Sequence, residues 1–73
     1  MATRSVKSRF GSTLRRLRDE RGYSQEELAE RAGLHRNYVG GVERGGRKVA
    51  LENIVRLAKA LSVSPTELFA DFP

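Results

Sequence analysis

Ser24, Glu27 and Gly33 constrain this chain more tightly than any other group of residues, because together they mark both ends of one short helix. A serine three positions ahead of a glutamate is a capping box, in which each residue satisfies a backbone donor that the first turn leaves orphaned. Leu28, Ala29 and Ala32 then recur at helical spacing as a narrow apolar stripe. Gly33 falls where a helix ends in left-handed backbone, which glycine adopts without a Cβ penalty. Leu34 is expected to tuck into the core beneath that turn. A second short helix follows, with Tyr38, Val39 and Val42 pointing inward and Arg36, Asn37, Gly40, Gly41 and Arg44 facing out. The two helices are expected over about 25–32 and 36–44.

The remaining pattern is helical as well. Residues 1–7 lack apolar periodicity and are expected to form a flexible basic arm, leaving 8–73 as one domain. Phe10, Leu14 and Leu17 define a first helix over about 8–21, with Gly22 as its stop. Gly45 and Gly46 break the chain before an irregular basic loop. Leu51, Ile54, Val55, Leu57, Ala58 and Leu61 give a helix over about 51–61 with a wide apolar arc. Ser64-Pro65-Thr66-Glu67 is a second capping box, with proline at the first helical position, and starts a short fifth helix. No run alternates with period two for long enough to propose a strand. The expected fold is all-α, a compact set of five helices.

With 73 residues, the chain buries only about 60% of its unfolded surface on folding and needs something further to add burial. It has no cysteine, which excludes disulfides and thiolate metal sites and suits a reducing compartment. It lacks an 18-residue apolar run and a signal peptide, so a soluble cytoplasmic protein is expected. An enzyme is not: there is one histidine, no paired acids in a plausible pocket, and GVERGG lacks both a phosphate-loop pattern and a preceding strand. No metal and no cofactor are expected.

Charge is distributed unevenly. Fourteen Lys and Arg against nine Asp and Glu give a formal net charge of +5. Residues 1–18 hold Arg4, Lys7, Arg9, Arg15, Arg16 and Arg18 without an acid, and residues 35–48 hold Arg36, Arg44, Arg47 and Lys48 against Glu43 alone. Asp19, Glu20, Glu26, Glu27 and Glu30 form an acidic zone between them. Such segregation suits a phosphate backbone, and equally describes a solvated basic surface. Two helices joined by a glycine turn of three or four residues add the helix-turn-helix unit.

LRRLRDERGYSQEELAERAGL, YVGGVERG, and LENIVRLAKAL followed by SPTELF resemble, in this order and spacing, the DNA-binding domains of phage repressor and Cro-type regulators. The resemblance spans roughly residues 10–69. Within that group, HRNYVGGVERGGRKVALENI looks like the controller proteins of restriction–modification systems, which are stand-alone dimeric regulators. The resemblance implies that Gln25 contacts a phosphate and steadies the recognition helix, and that Arg36 and Asn37 read bases. Their chemistry agrees, since Arg pairs bidentately with guanine and Asn with adenine. Tyr38 is open between a core ring and a hydroxyl on phosphate. Gly40 and Gly41 either let the helix backbone approach the groove closely or are tolerated defects, each costing about 1 kcal/mol relative to Ala. Arg18 and Glu43 match a buried ion pair. Arg44 flanks the backbone, Arg47 is a phosphate or groove contact, and Lys48 contacts phosphate. His35 stands at the N-cap of the recognition helix, within reach of a phosphate.

Val63, Leu68, Phe69 and Phe72 cluster beyond the arc that covers the helix-turn-helix and are expected to form a dimer interface. A two-fold dimer places recognition helices about 34 Å apart, facing successive major grooves. The expected partners are double-stranded DNA and a second copy of the chain, with two dimers on one operator left open. No membrane and no small-molecule ligand are expected. The alternative is an antitoxin-like module of the same fold that binds protein through this apolar patch or the acidic zone.

Overall fold

The structure, a computed structural model, describes residues 5–72. Four α-helices follow one another: α1 (Val6–Glu20), α2 (Gln25–Ala32), α3 (Arg36–Glu43) and α4 (Leu51–Leu61). A 3-10 helix, Pro65–Phe69, closes the order, and the described residues contain no strand. Residues 1–4 of the expected basic arm lie outside the described residues. Val6 and Lys7 do not belong to an irregular segment. They form the first turn of α1, because the Ser5 hydroxyl accepts from the Ser8 N–H at 3.1 Å and caps the helix.

Local chemistry sets the other boundaries. Ser24 Oγ accepts from the Glu27 N–H at 3.0 Å, which is one half of the capping box. The Glu27 carboxylate does not complete the box; it accepts two hydrogen bonds from Arg31, at 3.0 and 3.1 Å, one turn along α2. Gly33 takes φ 70° at the end of α2, and the Leu34 N–H reaches back to the Ala29 carbonyl at 2.8 Å. At the end of α4 it is Ser62, not a glycine, that adopts the left-handed conformation, with φ 58°.

The expected fifth α-helix is a 3-10 helix. It spans five residues, and Ser64 Oγ caps Thr66 rather than Glu67, whose N–H goes to the Ser64 carbonyl at 2.9 Å. Runs this short favour i→i+3 bonding. Within it Leu68 is fully buried in the core.

That core consists of Phe10, Leu14 and Leu17 from α1, Leu28, Ala29 and Ala32 from α2, Val39 and Val42 from α3, Leu57, Ala58 and Leu61 from α4, and Leu68. Leu34, Tyr38, Val49, Ile54 and Val63 pack against it, half-buried. The apolar arc of α4 is narrower than its sequence suggests, since Leu51 is 74% exposed and Val55 40%. Both face away from α2 and the 3-10 helix, the two elements that cover α4. α3 is held from two sides, by α1 and by α2. No helix among the described residues is long and apolar enough to cross a membrane.

Candidate nucleic-acid interface

The N-terminus of α3 is capped by an unusual residue. His35 Nδ1 accepts from the Asn37 N–H at 3.0 Å, doing what a Ser or Asp oxygen ordinarily does. The cap starts α3 where Arg36 and Asn37 both stand exposed on its first turn. Arg36 Nη1 lies 3.7 Å from Glu26 Oε2 on α2, an exposed ion pair across the turn. The sequence placed Glu26 only in the acidic zone, and the spacing of ten residues between two helices gives no periodic signal for its pairing with Arg36.

The C-terminus of α3 is fastened by a buried carboxylate. Arg18 Nε donates to Glu43 Oε2 at 2.6 Å and Arg18 Nη2 to Glu43 Oε1 at 3.0 Å, a bidentate pair. The Arg18 and Glu43 side chains are 11% and 3% exposed. Arg18 Nη1 also donates to the Tyr23 carbonyl at 2.7 Å and lies 3.3 Å from Asp19 Oδ1. The Glu43 hydrogen bonds raise the Arg18 pKa above its ordinary value, against the opposing effect of burial, and the Glu43 and Asp19 charges add to the rise. Gln25 joins the same carboxylate, its Nε2 donating to Glu43 Oε1 at 3.0 Å. Gln25 therefore links the start of α2 to the end of α3, a bridge that periodicity alone did not reveal.

Gly40 and Gly41 depart from expectation. They do not expose bare backbone; both are buried. A Cβ at Gly40 would lie 3.2 Å from Arg44 Nη1 and 3.3 Å from Gln25 Oε1. A Cβ at Gly41 would lie 2.8 Å from Arg47 Cδ and Nε. Side chains from α2, from the end of α3 and from the following loop thus roof the two glycines. The Arg47 guanidinium stands 5.7 Å from the centroid of the Tyr38 ring. The Tyr38 ring is half-buried and packs against the core. The Tyr38 hydroxyl is buried with no hydrogen-bond partner, alone among the buried side-chain polar atoms of the described residues. Arg44, Arg47 and Lys48 are all exposed on the chain leaving α3.

At the far end, the Phe69 ring packs at a 59° tilt against Phe10 with centroids 5.4 Å apart, and Phe72 lies 5.9 Å from Phe69. Arg9 covers Phe72 at 5.9 Å. Of the four residues expected at a dimer face, Leu68 is fully buried in the core of its own chain and presents nothing to a partner. Val63 is half-buried against that core, Phe72 is half-buried, and Phe69 is 41% exposed.

Comparison with known proteins places this arrangement. The family model HTH_3, a helix-turn-helix family, matches residues 14–68. Control protein C.BamHI of Bacillus amyloliquefaciens is 42% identical over 67 residues, 90% of this chain and 83% of that protein. Control protein C.SmaI of Serratia marcescens is 44% identical over 63 residues, 86% of this chain and 75% of that protein. The crystal structure of the restriction–modification controller protein C.AhdI from Aeromonas hydrophila superposes with a TM-score of 0.85 at 57% identity, covering 86% of this chain and 96% of that one. A shared fold at such identity carries the helix-turn-helix assignment without appeal to shape alone, and the chain belongs to the HTH_3 helix-turn-helix family, among its restriction–modification control proteins.

Proposed function

We propose that the chain is a transcriptional regulator that binds a two-fold DNA operator as a homodimer and controls a restriction–modification locus in the cytoplasm. The observation that carries this reading is the mounting of α3. Its apolar face is sunk in the core and its C-terminus is locked to α1 and α2 through Glu43, while Arg36 and Asn37 stand exposed at its capped N-terminus. A helix held so rigidly can enter a major groove and keep its readers in register.

Arg36 and Asn37 are the base readers in this account. Arg36 addresses guanine O6 and N7, and Asn37 addresses adenine N6 and N7. Arg44, Arg47 and Lys48, all exposed, follow the flanking backbone or groove edge. His35 and Gln25 lie at the two helix starts, where exposed N–H groups suit a phosphate. The names of the relatives support a role at a restriction–modification locus, and family membership supports a DNA-binding regulator rather than an enzyme.

Selection from a randomised duplex pool at near-physiological salt tests the reading. Two related half-sites, spaced by about one helical turn, are the expected outcome. Salt-labile binding with no enriched motif would overturn it and favour a protein partner.

A further inference from the structure

An interior glycine in a helix costs about 1 kcal/mol relative to alanine, and it persists where the backbone or the space requires it. Backbone does not require it at Gly41, since the positive-φ glycines are Gly22, Gly33 and Gly45. Space does. The three atoms nearest to a Cβ built there all belong to one side chain: Cδ and Nε of Arg47 at 2.8 Å and Cγ at 3.0 Å. The stem of Arg47 therefore occupies the volume that a side chain at position 41 would fill.

The loop is built to bring it there. Gly45 turns the chain at φ 77°, its N–H bonding the Val42 carbonyl at 3.0 Å, and the Gly46 N–H returns to the Gly41 carbonyl itself at 2.9 Å. Arg47 follows immediately. Its guanidinium is held over the Tyr38 ring, three residues before Gly41 on the same helical face. Asn37 precedes Gly41 by four residues, so it shares that face as well. The recognition surface thus runs from Asn37 to a guanidinium supplied by the loop, in the place where α3 itself has no side chain.

We propose that Gly41 is a specificity-determining position of the DNA interface, acting as a positioning residue: its missing Cβ seats Arg47 across the recognition helix and aims the guanidinium at one base pair of each half-site. This rests on the DNA-reading function proposed above. A long cationic side chain lying free in solution loses its rotamer freedom on binding, whereas one already laid along a seat has less to lose. An alanine at position 41 displaces the stem and leaves the charge, so total positive charge near the DNA is unchanged while the aim is lost.

The test is selection from a randomised duplex pool with the full chain, its G41A, R47A and G41A/R47A variants, and thermal melting of each. The wild-type motif is expected to contain one base pair per half-site whose preference is of order 5- to 150-fold, the discrimination that a bidentate arginine–guanine pair provides. R47A is expected to lose that preference, and G41A to lose it as well while melting no lower than wild type. Preferences set by Arg36 and Asn37 stay in all variants, and the double variant matches R47A. A G41A motif identical to wild type, or an R47A protein that binds every site more weakly with an unchanged motif, overturns the proposal while leaving sequence-specific binding intact. Absence of any motif for the wild type overturns the DNA-reading function and the proposal with it.

Discussion

Gly11 of α1 lies directly against the carbonyl oxygen of Val42 in α3, leaving no room for a side chain between the two helices. A Cβ there would collide with that oxygen and come within 2.6 Å of the Glu43 carbonyl oxygen. Both are backbone atoms at the end of the recognition helix, so neither yields by changing a rotamer. Gly11→Ala therefore has to push α1 off α3, in spite of alanine's better helix propensity. We expect a loss of at least 2 kcal/mol, on the order of what overpacking a core costs, read as a lower midpoint in denaturant unfolding. An unchanged or raised midpoint would show that the helices part easily.

The Arg18–Glu43 pair makes a second demand at the same junction. Glu43→Ala leaves a guanidinium in a largely dehydrated place and frees Gln25 from its anchor. Breaking a buried pair in this way costs about 3–5 kcal/mol, enough to unfold much of so small a domain. Replacing both partners, as in Arg18→Met with Glu43→Leu, is expected to cost clearly less than the sum of the single changes. The pair also makes a pH prediction. Arg18 is raised by its hydrogen bonds to Glu43, so its contribution is complete below its ordinary pKa and is lost only as pH climbs beyond it into strongly alkaline solution. Between pH 6 and pH 9, roughly, unfolding midpoints should show no titration of the arginine. A stability difference between the chain and its Arg18→Met/Glu43→Leu variant that titrates within that window would contradict a pair charged throughout it.

The helix starts and stops were legible because they are local. Ser24 with Glu27, Gly33, and Ser64 before Pro65 act within four residues of themselves, and each marks a boundary in the structure. The outward placement of Arg36 and Asn37 followed from period 3.6 alone. What periodicity did not reveal depends on chain returning from elsewhere. Gly40 and Gly41 looked bare on a helical wheel, yet Gln25, Arg44 and Arg47 roof them from three separate segments. Leu51 and Val55 looked inward on the same kind of wheel, but among the described residues both stay exposed. Leu68 looked like surplus apolar surface, but the 3-10 helix packs back on α1 and α4 and Leu68 lies in the core instead.

His35 separates two roles that a single substitution can distinguish. Its Nδ1 caps α3, and its exposed ring stands beside the expected phosphate path. His35→Ala should lower stability by about 1 kcal/mol, the usual worth of an N-cap. His35→Asp keeps an acceptor for the Asn37 N–H and adds a charge that suits a helix N-terminus, so stability should be retained or improved. In the proposed complex the same carboxylate would face DNA phosphate, and operator affinity should fall, most strongly at low salt. Melting curves and binding isotherms at two salt concentrations check both halves. Unchanged affinity in the aspartate variant would remove residue 35 from the DNA interface.

Phe69 is the residue on which the proposed dimer turns. Leu68 is committed to its own core and Val63 half-committed, which leaves Phe69 and the half-buried Phe72, backed by buried Phe10, as the apolar surface among these residues. Phe69→Lys replaces part of that surface with a charge that two-fold symmetry would set against its own copy. Sedimentation at micromolar concentration should show wild-type dimer and variant monomer, and the melting temperature should rise with protein concentration for the wild type alone, because association adds burial only to the folded state. Part of the loss will come from the contact with Phe10, which aromatic pairing sets at about 0.5–1.5 kcal/mol. Phe10 is buried, so Phe69→Leu serves as the control: it keeps an apolar surface and gives up the ring contact. A lysine variant that remains dimeric would move the two-fold interface away from Phe69, with exposed Leu51 and Val55 of α4 as the next surface to charge.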